Sequence, residues 1–265
     1  MEEIIKQIES LALNGLNVGA LADTPAILTR DDFDIKSLEH LQKAPNRIRQ
    51  AVTVSTSKSL IDYINKFKID GTSIFCDLEK LNVKAIFDYH ANPNEARWGD
   101  HTASYTCPHS KDWKAWSGKN KSAMGQIEFA QFIENNIHCV ASEGNVVSGA
   151  ELLAMVLTFE ETRKSEFKSV QRLQDGTMSF AFTDEKSGGG KTRLPEEIIL
   201  GLQPFHNGDY YQIKARIRYR IKDGLLTLWY ELINPEKVVE DAFNTTVENL
   251  KSNIPDVDFY EGNLA

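Results

Sequence analysis

The chain has 265 residues, 41% of them apolar and 26% charged, with 30 Lys and Arg against 38 Asp and Glu for a net charge of −8. This mixture excludes a disordered, collagen-like or disulfide-scaffold protein, and the length suffices for a sizeable core. The acidic balance argues against nonspecific coating of nucleic acid but leaves room for a local basic site.

The start, MEEIIKQIESLALNG, spaces Ile4, Ile5, Ile8 and Leu11 as a helix that Gly15 would stop. It lacks the basic head and apolar run of a signal peptide, and no later run approaches the roughly 20 apolar residues of a membrane span. FDIKSLEHL alternates in part, as a strand would, and AVTV at 51–54 reads as a short strand. Ser57 is placed to cap a helix whose apolar face is Leu60, Ile61 and Ile64, with Gly71 ending the unit. TSIFCDL and VKAIFDY, parted by a short polar break, read as a hairpin. Residues 91–123 are aromatic-rich and irregular, except that Ser110 is placed to cap a short helix carrying Trp113 and Trp116 on one face. GQIEFAQFIENN and GAELLAMVLTFEE read as helices.

Beyond about residue 165 the pattern turns to strands: FKSVQRL, TMSFAFT, EEIILGL, YYQIKARIRYRI and LLTLWYELI. Asp175-Gly176 and Asp223-Gly224 are hairpin signals, and SGGGKT (187–192) is a loop. Asn234 as N-cap, Pro235 in the first turn and Pro255 beyond the end frame a last helix. These elements predict one α+β domain over 1–265, divisible into a mixed helix and strand region at 1–160 and an antiparallel sheet with a C-terminal helix at 161–265. Helices pack on a mainly antiparallel C-terminal sheet, with an N-terminal helix–strand segment joined to it.

Three features invite a chemical reading. Asp88 and His90 in DYH, with Asp100 and His101 in RWGDH, offer the imidazole and carboxylate donors of a catalytic metal or a general base. Without a recognised ligand spacing, the more economical reading is a turn organised by Asp100 and Arg97, with satisfied histidines beside aromatic residues. GGGKT lacks the first glycine of a phosphate-binding loop, since Glu185 stands there and a β run follows. Cys76, Cys107 and Cys139 are widely spaced with no CxxC, as expected of free thiols in a reducing cytoplasm.

The third feature is YYQIKARIRYRIK. Its odd positions (Tyr211, Ile213, Ala215, Ile217, Tyr219, Ile221) are apolar or small, whereas Lys214, Arg216, Arg218, Arg220 and Lys222 line the other face. Cations about 7 Å apart, at roughly 3.4 Å per residue, suit the phosphate repeat of an extended single strand. Alternatively, acids on neighbouring strands, with Glu196, Glu197 and Glu231 as candidates, neutralise the row.

The segments VSTSKSLIDYINKF, AIFDYHANPNEARWGDHTASYTCPHSKDWKAWSGKNKSAMGQIEFAQFIENN and LGLQPFHNGDYYQIKARIRYRIKDGLLTLWYELINPEKVVEDAF resemble the YfdQ-like family of phage and prophage proteins, over about residues 45 to 250. The resemblance implies a protein of unknown activity acting in the cytoplasm of a bacterial host cell, among early replication- or recombination-associated functions. It supplies no catalytic residue. The leading expectation is a non-enzymatic, self-associating protein without a cofactor. Single-stranded nucleic acid or a host protein is a further possible partner, and a metal-dependent hydrolase is the third reading.

Overall fold

The computed structural model describes residues 3–6, 26–28, 35–37, 39–142, 147–161, 166–172, 178–183, 191–222 and 225–264. Of the expected first helix, residues 3–6 are helical and the remainder lies outside the described residues, as do both Asp-Gly turns and residues 187–190. Strands β1 (Ala26–Leu28) and β2 (Ile35–Ser37) form an antiparallel ribbon, and Glu39–Leu41 is a 3-10 turn. There follow β3 (Ala51–Thr53), α1 (Ser57–Phe67), β4 (Ser73–Asp77), β5 (Asn82–Ile86) and β6 (Thr102–Thr106). Next come α2 (Lys111–Gly118), β7 (Met124–Gly125), α3 (Gln126–Asn135), the 3-10 turn Ile137–Cys139 and α4 (Gly149–Glu161). The C-terminal part holds β8 (Glu166–Arg172), β9 (Met178–Thr183), β10 (Lys191–Leu194), β11 (Glu197–Leu202), β12 (Tyr211–Lys222), β13 (Leu225–Leu232), α5 (Pro235–Asn253) and β14 (Asp258–Glu261).

The architecture is α+β, as expected. One sheet runs β14-β4-β5-β6-β3. Its centre is antiparallel, and its outer strands β14 and β3 join parallel to β4 and β6. The C-terminal sheets β11-β12-β13-β7 and β10-β9-β8 are antiparallel throughout.

Two apolar clusters hold these sheets to helices. In the first, Leu60 and Ile64 of α1 and Phe243 and Leu250 of α5 meet Ile74, Val83 and Ala103 of the five-stranded sheet. In the second, Trp116, Phe129, Ile133 and Leu152 of α2, α3 and α4 meet Leu200, Ile217 and Tyr230. Each fully buried side chain of this kind contributes about 1.5–3 kcal/mol. Tyr211 and Val239 pack against both clusters. Both clusters draw residues from either side of position 160.

Local chemistry accounts for three of the helix starts. Thr56, rather than Ser57, caps α1: its Oγ1 accepts the Ser59 N–H at 3.1 Å. Ser110 caps α2 through the Trp113 N–H at 3.0 Å. Asn234 precedes α5 as expected but works differently. It lies in the left-handed region at φ 51°, with no side-chain cap bond. Pro235 keeps its predecessor out of the right-handed helical region, and Asn tolerates the left-handed one.

Candidate functional site

The DYH and RWGDH segments meet in one hydrogen-bonded loop. Asp88 lies two residues past β5, and its carboxylate accepts the N–H groups of Asp100 (3.1 Å) and His101 (3.0 Å). Its carbonyl accepts the Gly99 N–H at 3.2 Å, and Gly99 takes the positive φ of 65° that the reversal requires. His90 Nδ1 accepts the Arg97 N–H at 3.1 Å, and the Arg97 guanidinium donates to the Asp70 carbonyl. The Asp100 carboxylate turns to Arg47 at 2.8 Å and Arg49 at 3.9 Å. His101 is 5% exposed; its ring centroid is 4.3 Å from Phe87 and 5.3 Å from Phe67, and Nε2 lies 3.1 Å from the Tyr63 hydroxyl. All four residues thus hold partners within the fold. Tyr63 and Arg47 were not legible as neighbours because 38 and 53 residues separate them from His101 and Asp100.

Burial lowers the His101 pKa below its usual 6.5, against an opposing pull from Asp88. The unfolded chain therefore binds this proton more readily than the folded one. The associated stability is full above about pH 6.5, declines as pH falls through that value, and levels off below the folded pKa. His101→Gln is expected to flatten this limb of the stability profile; urea midpoints measured across the acidic range that stay parallel to wild type would contradict it.

Beside the loop, Arg47, Lys66, Lys68, Arg97 and Trp98 border an open cleft of about 530 Å³, with Asp88 and His101 also on its wall. Trp98 is 78% exposed, with the Arg47 guanidinium 4.8 Å above its ring.

The late basic segment is a strand with the expected alternation. Ile213, Ala215 and Ile217 of β12 are buried, and Lys214, Arg216 and Arg220 are exposed on the other face, with Arg218 half-buried there. Among the described residues, carboxylates on both neighbouring strands answer the row. Glu197 of β11 lies 3.2 Å from Arg216 and 3.9 Å from Lys214, and Glu231 of β13 lies 3.5 Å from Arg218. Among the described residues Arg220 makes no ion pair. Register sets Arg218 opposite Trp229 and Arg220 opposite Thr227, so an aromatic ring sits beside the cations.

The three cysteines are free and buried. Burial pushes the Cys139 thiol up to about 11, and the indole N–H of Trp116 acts against that push without full hydrogen-bond geometry. Asp112, His138 and Cys139 each bring a donor atom to within 4.8 Å of the other two. Sequence reasoning missed this group because Asp112 and His138 are 26 residues apart, one in the first turn of α2 and the other in the 3-10 turn that follows α3.

The family model described as "Uncharacterized conserved protein (DUF2303)" matches residues 1–264. The chain belongs to this family. DUF2303 is an uncharacterised, phage- and prophage-associated family, which agrees with a phage-type protein at that coarser level. No curated protein and no solved structure matches the chain. Among the described residues of this DUF2303 member, no helix is long and apolar enough to cross a membrane.

Proposed function

We propose that this protein binds single-stranded nucleic acid along the open face of the β11-β12-β13-β7 sheet. The supporting observation is the row of cations on that face among the described residues: Lys214, Arg216, Arg218 and Arg220, with Glu197 and Glu231 beside them. Exposed ion pairs are worth about 0.2–1 kcal/mol each, so a phosphate competes easily for these cations. Trp229 lies across from Arg218 and offers a surface on which a base stacks. The reading suits the replication and recombination context of the YfdQ-like proteins that the sequence resembles. It also fits the net charge of −8, because a local basic row on an acidic protein favours a defined track over general coating.

The test is fluorescence anisotropy with a labelled single strand, titrated at several salt concentrations. Lys214→Glu combined with Arg220→Glu leaves the two closest ion pairs, Arg216–Glu197 and Arg218–Glu231, in place. It is expected to weaken binding at least tenfold and to lower the slope of log affinity against log salt by about 1.4, at roughly 0.7 for each phosphate no longer neutralised. Unchanged affinity and slope in the folded double variant would reject the reading.

A second reading, assembly into a homo-oligomer, rests on the far end of the same hairpin, where Ile221 and Leu225 are 37% and 60% exposed. Light scattering on the purified protein separates the two: a monomer that binds a single strand leaves only the first.

A further inference from the structure

We propose that Asp112, His138 and Cys139 form a site for a divalent ion of the zinc class, with a fourth position open to solvent. The site joins the first turn of α2 to the 3-10 turn Ile137–Cys139. His138 Nε2 already lies 3.2 Å from Asp112 Oδ1, and the Cys139 sulfur is within 4.8 Å of both. A tetrahedral ion with bonds of about 2.0–2.3 Å holds its donor atoms roughly 3.3–3.6 Å apart. The imidazole–carboxylate pair therefore meets the requirement as it stands, and the thiol needs a shift of about 1 Å. One thiolate, one imidazole and one carboxylate make a borderline-soft set that suits zinc or cobalt and is poor for magnesium or calcium.

The burial pattern supports a bound ion over a simple surface ion pair. Cys139 is 2% exposed and forms the floor, while the Asp112 and His138 side chains are 34% and 59% exposed and form the rim. An ion entering from solvent meets the two rim ligands first. The floor carries a second, independent observation. The Trp116 indole nitrogen is buried without a partner of full hydrogen-bond geometry. It bears on the Cys139 sulfur. A neutral thiol is a weak acceptor for that N–H, whereas a metal-bound thiolate is a good one, so coordination would satisfy the orphaned donor from the outer shell. Binding breaks the S–H bond, forms the sulfur–metal bond and releases one proton to solvent. The proposal does not depend on nucleic-acid binding, and the two are tested with different probes.

The test uses the full chain, stripped with a chelator and titrated with cobalt(II) alone. One equivalent is expected to give a thiolate-to-cobalt charge-transfer band and the strong visible bands of a tetrahedral ion, both bleached by zinc. Cys139→Ser should abolish the charge-transfer band. His138→Ala, at an exposed position where folding is not at stake, should weaken cobalt binding at least tenfold. No charge-transfer band, a band that survives Cys139→Ser, or equal affinity in His138→Ala would each overturn the proposal.

Discussion

Trp116→Ala is expected to lower the unfolding free energy by about 3–5 kcal/mol, the usual loss for deleting a large buried aromatic ring. Trp116 is fully buried on α2 and sits edge-on to Phe132 (5.0 Å) and Tyr230 (4.9 Å), which themselves stack at 5.5 Å. The Tyr230 hydroxyl donates to the Trp116 carbonyl at 2.5 Å, so α2 is tied to β13 by a polar bond as well as by packing. Removing the indole opens a cavity between α2, α3 and the sheet that neither rigid element can fill. Against a typical total of about 5–15 kcal/mol, the loss is a large fraction. In urea the midpoint should fall with little change in slope, because the surface exposed on unfolding barely alters. Trp116→Phe, which keeps a ring in place, should lose much less. A Trp116→Ala midpoint within error of wild type would show that this cluster does not hold α2 to the sheet.

This tie between α2 and β13 also marks how far the sequence could be read. Trp113 and Trp116 share a face by spacing, and Ser110 supplies a cap, so the helix and its buried side were legible from the local sequence alone. Its partner was not, since Tyr230 lies 114 positions away. The same contrast holds for strands. β4, β5, β11, β12 and β13 announce themselves by alternation or by runs of β-branched and aromatic residues. β6 does not: TASYT buries only Ala103 and Tyr105, and its place in the middle of the sheet comes from its pairing with β5 and β3. β7 and β14 are edge strands of two and four residues, too short for a period to show. Lys191 and Thr192, read as part of a loop, belong to β10 because they pair with Ala181 and Phe180.

Site residues follow the same division. The basic face of β12 was legible because a strand's period of two determines which side chains share a face. Its acidic partners were partly legible, as Glu197 and Glu231 both pair with the row. Ligand convergence was not legible. Asp88, His90, Asp100 and His101 are close in sequence, yet each is engaged separately, on backbone amides, an arginine or a tyrosine. Asp112, His138 and Cys139 are not all close in sequence, yet they converge. Proximity along the chain does not decide which donor atoms converge, because a helix and a turn can unite distant residues while a tight loop spends adjacent ones on its own amides.

Gly71→Ala should cost about 2–5 kcal/mol and should loosen the loop that bears Asp88 and His101. Gly71 stands between α1 and β4 at φ 82°, where an L side chain costs about 1–2 kcal/mol. An added Cβ would also lie 2.9 Å from the Ala91 Cα and 3.0 Å from its nitrogen and Cβ. The obstacle is mostly backbone, so no side-chain rotation relieves it, and overpacking of this kind adds about 1–3 kcal/mol. Ala91 follows the DYH segment directly, so relief requires that segment to move. The neighbouring bond from the Thr72 hydroxyl to the Phe87 carbonyl, 3.0 Å and buried, resists that movement from the other side. Amide hydrogen exchange at Asp100 and His101, whose N–H groups rest on the Asp88 carboxylate, should therefore quicken in the variant. Gly118→Ala is the control: nothing lies within 4 Å of its added Cβ, and it sits at the end of a helix where alanine is tolerated or favoured. If Gly71→Ala matches Gly118→Ala in both midpoint and exchange, the close approach of Gly71 to Ala91 is not what holds the loop.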